Sequence, residues 1–237
     1  MTTPRRSPVC VVVGVGPGNG EAFARCFAAA GHAVALLARR TELSAALAAE
    51  LPDARAYACD VTTAASVESA FTRIQAEMGP IEVMIFNAGK GVWGDVESVS
   101  PADFQESWSI NALGLFLTAQ AVIPAMKANA GGNIVIVGAT ASRRGVAGTA
   151  AFAPAKAAQR ALAESMARHL WPAGIHVSLI IVDGRVGGAK ARGMFADKPA
   201  DAFIDPNDIA KIALDLTRQA RSAWSFEVEA RPFNEKW

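Results

Sequence analysis

Val9-Cys10-Val11-Val12-Val13-Gly14-Val15-Gly16-Pro17-Gly18-Asn19-Gly20 decides how this chain folds. Val9 to Val13 is an unbroken apolar run, mostly β-branched, as in a strand covered on both faces. Gly14, Gly18 and Gly20 follow at once, with Asn19 between the last two. A helix is expected from about Glu21 to Ala30, stopped at Gly31, and Ala33 to Ala38 reads as the next strand. Strand, glycine turn, helix and strand within about 30 residues have the scale of a βαβ unit. Glycines let the backbone turn tightly and approach a pyrophosphate, whose charge suits the free N–H groups at a helix start. A glycine turn that only shapes the chain would look the same. No Gly-Lys-Ser or Gly-Lys-Thr follows, which disfavours an ATPase-type phosphate loop.

The alternation continues. Thr41 is placed to cap a helix through Glu50, which Pro52 ends. Strands are expected at Ala54 to Cys59, Ile81 to Phe86, Asn133 to Val137, Ile175 to Val182 and Trp224 to Glu229. Helices are expected at Ser66 to Met78, Ala151 to Leu170 and Asp208 to Thr217. Pro101 to Asn129 holds two helical stretches or one long bent one around Pro124. Strands that alternate weakly suit a parallel sheet with helices on both faces. The expectation is one α/β domain over residues 1–237, a doubly wound Rossmann-type sheet. Gly184 to Ala202 reads either as a flap over a site or as a plain surface loop.

Composition narrows the partners. The 237 residues are 51% hydrophobic and 19% charged, which suits a packed core. A formal charge of +1 gives no push toward nucleic acid or an acidic membrane. Cys10, Cys26 and Cys59 lack metal spacing and read as ordinary buried thiols. Met1 to Pro8 makes a poor secretory signal, and no run reads as long enough to span a bilayer. A cytoplasmic protein with a small-molecule substrate is expected, with no nucleic acid, membrane or metal.

The second strand ends Ala38-Arg39-Arg40. An acidic residue there would grip the ribose of NAD. Arginine suits the 2′-phosphate of NADP, so NADP is favoured and NAD stays open. A solvated arginine pair is the plain alternative. Asp60 ends the third strand and is read as an acceptor for the adenine amine, or as a turn residue.

In these elements the chain resembles the short-chain dehydrogenase/reductase family along nearly its whole length. Gly14-x-x-x-Gly18-x-Gly20 is similar to that family's cofactor loop, and Asp60-Val61 to its adenine contact. Asn87-Ala88-Gly89 resembles its post-strand element and Asn111 its helix asparagine. Phe152-x-x-x-Lys156 falls on its Tyr-x-x-x-Lys position. The resemblance implies a sheet of about seven strands and a homodimer or homotetramer. It also implies that Lys156 bridges the nicotinamide-ribose hydroxyls.

The departures matter as much. Phe152 stands at the tyrosine position, Ala139 at the serine position, Asp183-Gly184 at a Pro-Gly and Gly188 at a threonine. The chain's one tyrosine is Tyr57. A phenol can donate a proton and a phenyl ring cannot. Losing the serine's hydrogen bond alone would cost roughly 3 kcal/mol in a comparable oxyanion site. Asn111 and Lys156 are retained, and a water chain through them is one route for a proton. Thr140, Ser142 and Asp183 are the candidate replacements, Asp183 as an acid with a raised pKa. Asp183 could equally cap a turn or pair with Arg185. His169 and His176 are unconvincing bases, and Trp93 and Trp108 line a pocket or pack in the core.

The leading expectation is an atypical NADP-dependent oxidoreductase acting on a small carbonyl, alcohol or activated alkene. The alternatives are a noncatalytic NAD(P)-binding sensor or partner subunit, and a nonredox lyase or isomerase.

Overall fold

The structure is a computed structural model and describes residues 7–235. Residues 1–6, on which most of the leader reading rested, lie outside the described residues. The first half runs β1 (Val9–Val13), α1 (Asn19–Ala29), β2 (Ala33–Ala38), α2 (Glu42–Glu50), β3 (Ala54–Ala58), α3 (Ala64–Met78) and β4 (Ile81–Phe86). The second half holds α4 (Pro101–Trp108), α5 (Gly114–Ala128), β5 (Gly132–Ala139), α6 (Phe152–Leu170) and β6 (Ile175–Val182). After these come β7 (Arg185–Val186), α7 (Ala189–Met194), β8 (Phe203–Ile204), α8 (Pro206–Thr217) and β9 (Glu227–Ala230).

Seven strands form one parallel sheet in the order β3-β2-β1-β4-β5-β6-β9. Pleating divides β1 between two cores. Val9, Val11 and Val13 face the layer of α3, α5 and α6, beside Phe71, Leu115 and Met166. Cys10 and Val12 face the layer of α1 and α8, beside Phe23, Phe27 and Ile209. That double coverage is why the strand reads as a solid apolar run rather than an alternating one. Each fully buried valine contributes about 2 kcal/mol of transfer free energy. The chain order reverses between β1 and β4, and such a switch point opens a crevice at the carboxyl ends of the strands.

Several local expectations need correction. Thr41 precedes α2 but its side chain makes no capping bond; Ser44 Oγ instead donates to the Thr41 carbonyl at 3.2 Å. The fifth strand extends beyond Asn133 to Val137 because β6 pairs with it from Gly132 to Ala139. Gly184 to Ala202 is no plain loop: it holds β7 and α7, and β7 pairs with β8. Pro101 to Ala128 taken as one run of 28 residues is long and apolar enough to cross a membrane, contrary to the sequence reading. Half of its apolar 18-residue window is buried inside the domain, and a core helix of a soluble protein passes the same test.

That run is also interrupted. α4 and α5 are joined by a π-helical turn, Ser109–Leu113. Asn111 sits in it, fully buried, and its Nδ2 donates to Ser107 O at 2.8 Å and Lys90 O at 3.1 Å. Such turns carry one extra residue and often mark functional positions.

Candidate functional site

Three cavities lie side by side over the carboxyl ends of β1, β4 and β5. One of about 350 Å³ is lined by Gly14, Gly16, Arg39, Asp60, Val61 and Asn87–Gly89, among others. One of about 620 Å³ runs along Gly16–Gly20 and beneath α7. The third, about 430 Å³, reaches Asn87, Gly89, Trp93, Ala139, Thr140, Phe152 and Lys156. Asn87 borders all three, so they form one groove across the switch point.

The glycines shape the first part of the groove in different ways. Gly14 has φ +91°, and a Cβ there would sit 2.6 Å from the Ala88 Cα. It lets the turn press against Asn87-Ala88-Gly89. Asn87 Nδ2 locks that contact by donating to Gly14 O at 2.8 Å. A Cβ on Gly20 would meet Gly14 O at 2.8 Å, so Gly20 lets α1 close onto the loop. Gly18 has φ +98° and nothing near its missing Cβ: only its backbone conformation demands glycine. Asn19 opens α1, and its Oδ1 is buried without a hydrogen bond. The loop therefore offers a bare backbone path at a helix start, which fits a pyrophosphate.

Arg39 lines the far end of this path, whereas Arg40 does not. Asp60 borders the cavity, and its Oδ1 accepts from the Thr62 N–H at 3.0 Å and the Thr62 hydroxyl at 2.7 Å, as a turn residue does. Those bonds, the backbone one first, hold its carboxyl below the usual range. Val61 packs beneath, where a Cβ on Gly114 would meet its methyl at 2.9 Å.

The other end is built around Lys156. One turn into α6, its side chain is only 6% exposed. Its Nζ donates to Val137 O at 2.9 Å and to Gln159 Oε1 at 3.0 Å. Gln159 Nε2 donates in turn to the Asn111 backbone carbonyl at 3.0 Å. Burial pulls the Lys156 ammonium down to about 7. Phe152 covers it, with Nζ 5.9 Å from the ring centroid, and Trp93 leans on Phe152 at 5.4 Å. Trp93 is 70% exposed, so it forms a wall open to solvent. Trp108 lies half-exposed on α4 and outside these cavities' linings.

The three candidate replacement groups are already engaged. Asp183 Oδ2 accepts from Arg231 at 2.5 Å and Oδ1 from the Thr140 hydroxyl. Arg185, one of the alternatives for Asp183, lies over the Phe195 ring at 4.8 Å. Arg231 follows β9, so strand pairing with β6 brings it to Asp183. Thr140 borders the cavity, but its proton points at Asp183. Ser142 is buried and its hydroxyl accepts from the Ala139 N–H at 3.1 Å, closing the turn after β5. Gly184 holds the next bend tight: a Cβ would lie 2.6 Å from Pro232.

The remaining candidates are structural. His176 is buried, stacks on Trp224 at 4.7 Å and bonds Ser225 O, and burial lowers its pKa. His169 is exposed near the end of α6. Burial raises the thiol of Cys59 to about 11 and that of Cys10 well above its ordinary value. Gln159 was missed, although its i+3 spacing from Lys156 on a helix places the two side by side. Arg144 also borders the cavity, while Arg143 pairs with Glu227 and Glu229.

Residues 8–186 match the family described as short chain dehydrogenase. The chain belongs to that family. Among solved structures, the short-chain dehydrogenase from Rhodopseudomonas palustris is 33% identical, with a TM-score of 0.83 over 97% of this chain and 100% of that one. A metagenomic short-chain oxidoreductase in complex with NADP is 29% identical, with a TM-score of 0.83 over 97% and 99% of the two chains. D-threitol dehydrogenase of Mycolicibacterium smegmatis is 30% identical, covering 90% of this chain and 86% of the enzyme. This member of the family thus shares the parallel-sheet fold of its solved relatives, with the side chains described above standing around its own crevice.

Proposed function

We propose that the protein is an NADP-binding oxidoreductase for small apolar carbonyl compounds, alcohols or activated alkenes, with weak turnover on simple ketones. The observation that carries this is the continuous groove from Arg39, along the glycine path, to the apolar chamber at Lys156. The relative with NADP bound supports the choice of nucleotide.

In this reading the Gly14–Gly20 backbone receives the phosphates, and Arg39 pairs with a 2′-phosphate. Asp60 accepts from the adenine amine, with Val61 and Ala88 packing beside it. Lys156 donates its remaining N–H to the ribose hydroxyls. The nicotinamide, when bound, supplies the hydride chemistry. Trp93, Phe152, Val146 and Val182 keep the substrate in an apolar setting. Neither Phe152 nor Ala139 can hand a proton to a developing alkoxide, and Thr140 has its proton committed to Asp183. Substrates that need little proton assistance are therefore favoured.

The same two side chains support a second reading, a noncatalytic nucleotide-binding sensor or partner subunit. The nonredox alternative loses Asp183 as a free acid and is left with Lys156. Phe104, Trp108 and Phe116, large apolar groups half-exposed on α4 and α5, support pairing with a second copy. Three unpaired cysteines suit a reducing compartment such as the cytosol.

Calorimetric titration with NADPH and NADH tests the reading, followed by a panel of ketones and activated alkenes. NADPH is expected to bind more tightly. Absence of heat with either nucleotide overturns the whole assignment, and binding without turnover on any substrate favours the sensor.

A further inference from the structure

The cofactor-free protein has an additional chemistry open to it. We propose that Lys156 Nζ is a nucleophile that condenses with aromatic aldehydes entering the apolar chamber, forming a Schiff base.

The argument begins with donors and acceptors. An ammonium carries three N–H groups and an amine carries two. The structure gives Nζ two acceptors, Val137 O and Gln159 Oε1. The orientation of Gln159 is dictated by its other partner. The Asn111 carbonyl can only accept, so Nε2 faces it and Oε1 faces the lysine. No carboxylate pairs with Lys156 among the described residues. A neutral amine is thus fully satisfied, and its lone pair is left over. Burial favours that form, drawing the ammonium down to about 7. Lysines desolvated in apolar pockets become nucleophiles in this way.

The chamber suggests the class of electrophile. Phe152 lies beside Lys156 and Trp93 leans on Phe152, and Ala139 and Val182 line the same cavity, which suits a flat apolar ring. Trp93 and Phe152 are tilted by 47°, leaving an open aromatic face rather than a closed stack. The step is balanced without a redox partner. The Nζ lone pair adds to the carbonyl carbon, and the carbonyl oxygen takes one amine proton to give a carbinolamine. The second amine hydrogen leaves with that hydroxyl as water, and a C=N bond forms. This inference rests on the proposed function only in that nucleotide and aldehyde would compete for the same amine.

The test uses the full chain stripped of nucleotide, 2-naphthaldehyde as the probe, sodium cyanoborohydride to trap the imine, and peptide mass spectrometry. Lys156 is expected to label roughly tenfold or more faster than the exposed Lys211, because far more of it is unprotonated near neutral pH. Gln159→Glu places a carboxylate beside the amine and keeps it charged. Labelling of Lys156 should then fall to the Lys211 level in a protein whose circular dichroism is unchanged. Equal labelling of Lys156 and Lys211 in the wild type overturns the proposal, as does undiminished labelling in a folded Gln159→Glu protein. Saturating NADPH should protect Lys156 and leave Lys211 untouched. Lys156 labelling that ignores NADPH supports the condensation and counts instead against the nucleotide reading.

Discussion

Replacing Lys156 with methionine should make the protein's stability respond differently to pH. The lysine sits at about 7 in the folded chain because it is buried without an opposing charge. Unfolded, it returns to about 10.4. Between those values the unfolded chain holds a proton that the folded lysine has released, so raising the pH favours folding. Below the folded value both states are protonated and the destabilisation is complete; above the unfolded value both are neutral and it vanishes. The slope approaches 1.4 kcal/mol per pH unit across the window. From about pH 7.5 to about pH 9, the wild type should gain roughly 2 kcal/mol relative to Lys156→Met. Methionine also leaves Val137 O and Gln159 Oε1 without their donor, but that offset is the same at every pH. The assay is urea denaturation of both proteins at the two pH values, at one protein concentration so that assembly does not intrude. A difference that stays flat, or that falls as pH rises, would refute the neutral buried amine.

The glycine turn offers a contrast within one loop: Gly14→Ala meets backbone at 2.6 Å and should lose about 3 kcal/mol or more by denaturation, whereas Gly18→Ala meets open space and should lose only about 1 to 2 kcal/mol. If the groove holds the phosphates, Gly18→Ala should nevertheless weaken nucleotide binding, read by NADPH fluorescence. Arg39→Glu should weaken NADPH by about 1.5 to 3 kcal/mol, or roughly tenfold to a hundredfold, and leave NADH unaffected or improved; an equal loss for both nucleotides would show that no 2′-phosphate sits there. The double change Phe152→Tyr and Ala139→Ser should raise ketone reduction by about a hundredfold or more in an NADPH oxidation assay, and no gain would favour a sensor.

The fold was legible because strands buried on both faces leave a mark that needs no context. The runs at β1, β2, β4 and β6 were read to within a residue, since each is mostly apolar, with Glu82 in β4 and His176 and Ser178 in β6 as the polar exceptions, and each is bounded by glycine, proline or a polar residue. The groove was equally legible: Gly14 and Gly20 are local requirements of a tight turn, and Arg39 follows directly from the end of β2. What the sequence concealed depends on distant pairing. Nothing near Asp183 foretells Arg231, because β9 must dock before the two meet. Thr41 looked like a cap, yet propensity fixes only the residue type and not the rotamer. The π turn at Ser109–Leu113 has no periodic signature, so the exact setting of Asn111 could not be read. Gln159 lay within reach, one turn beyond Lys156, but a helical glutamine is ordinarily read as solvated.

The Asp183–Arg231 pair gives the polar wall of the chamber an order of assembly. The glycine turn, β2 and β4 can be in place early in synthesis, whereas the guanidinium that tethers Asp183, and through it Thr140, emerges from the ribosome more than 90 residues after Thr140. Proteolytic trimming after Glu229 would then spare the nucleotide end and loosen the reactive end, separating by a single cut the capacity to hold a dinucleotide from the capacity to shape what lies against it.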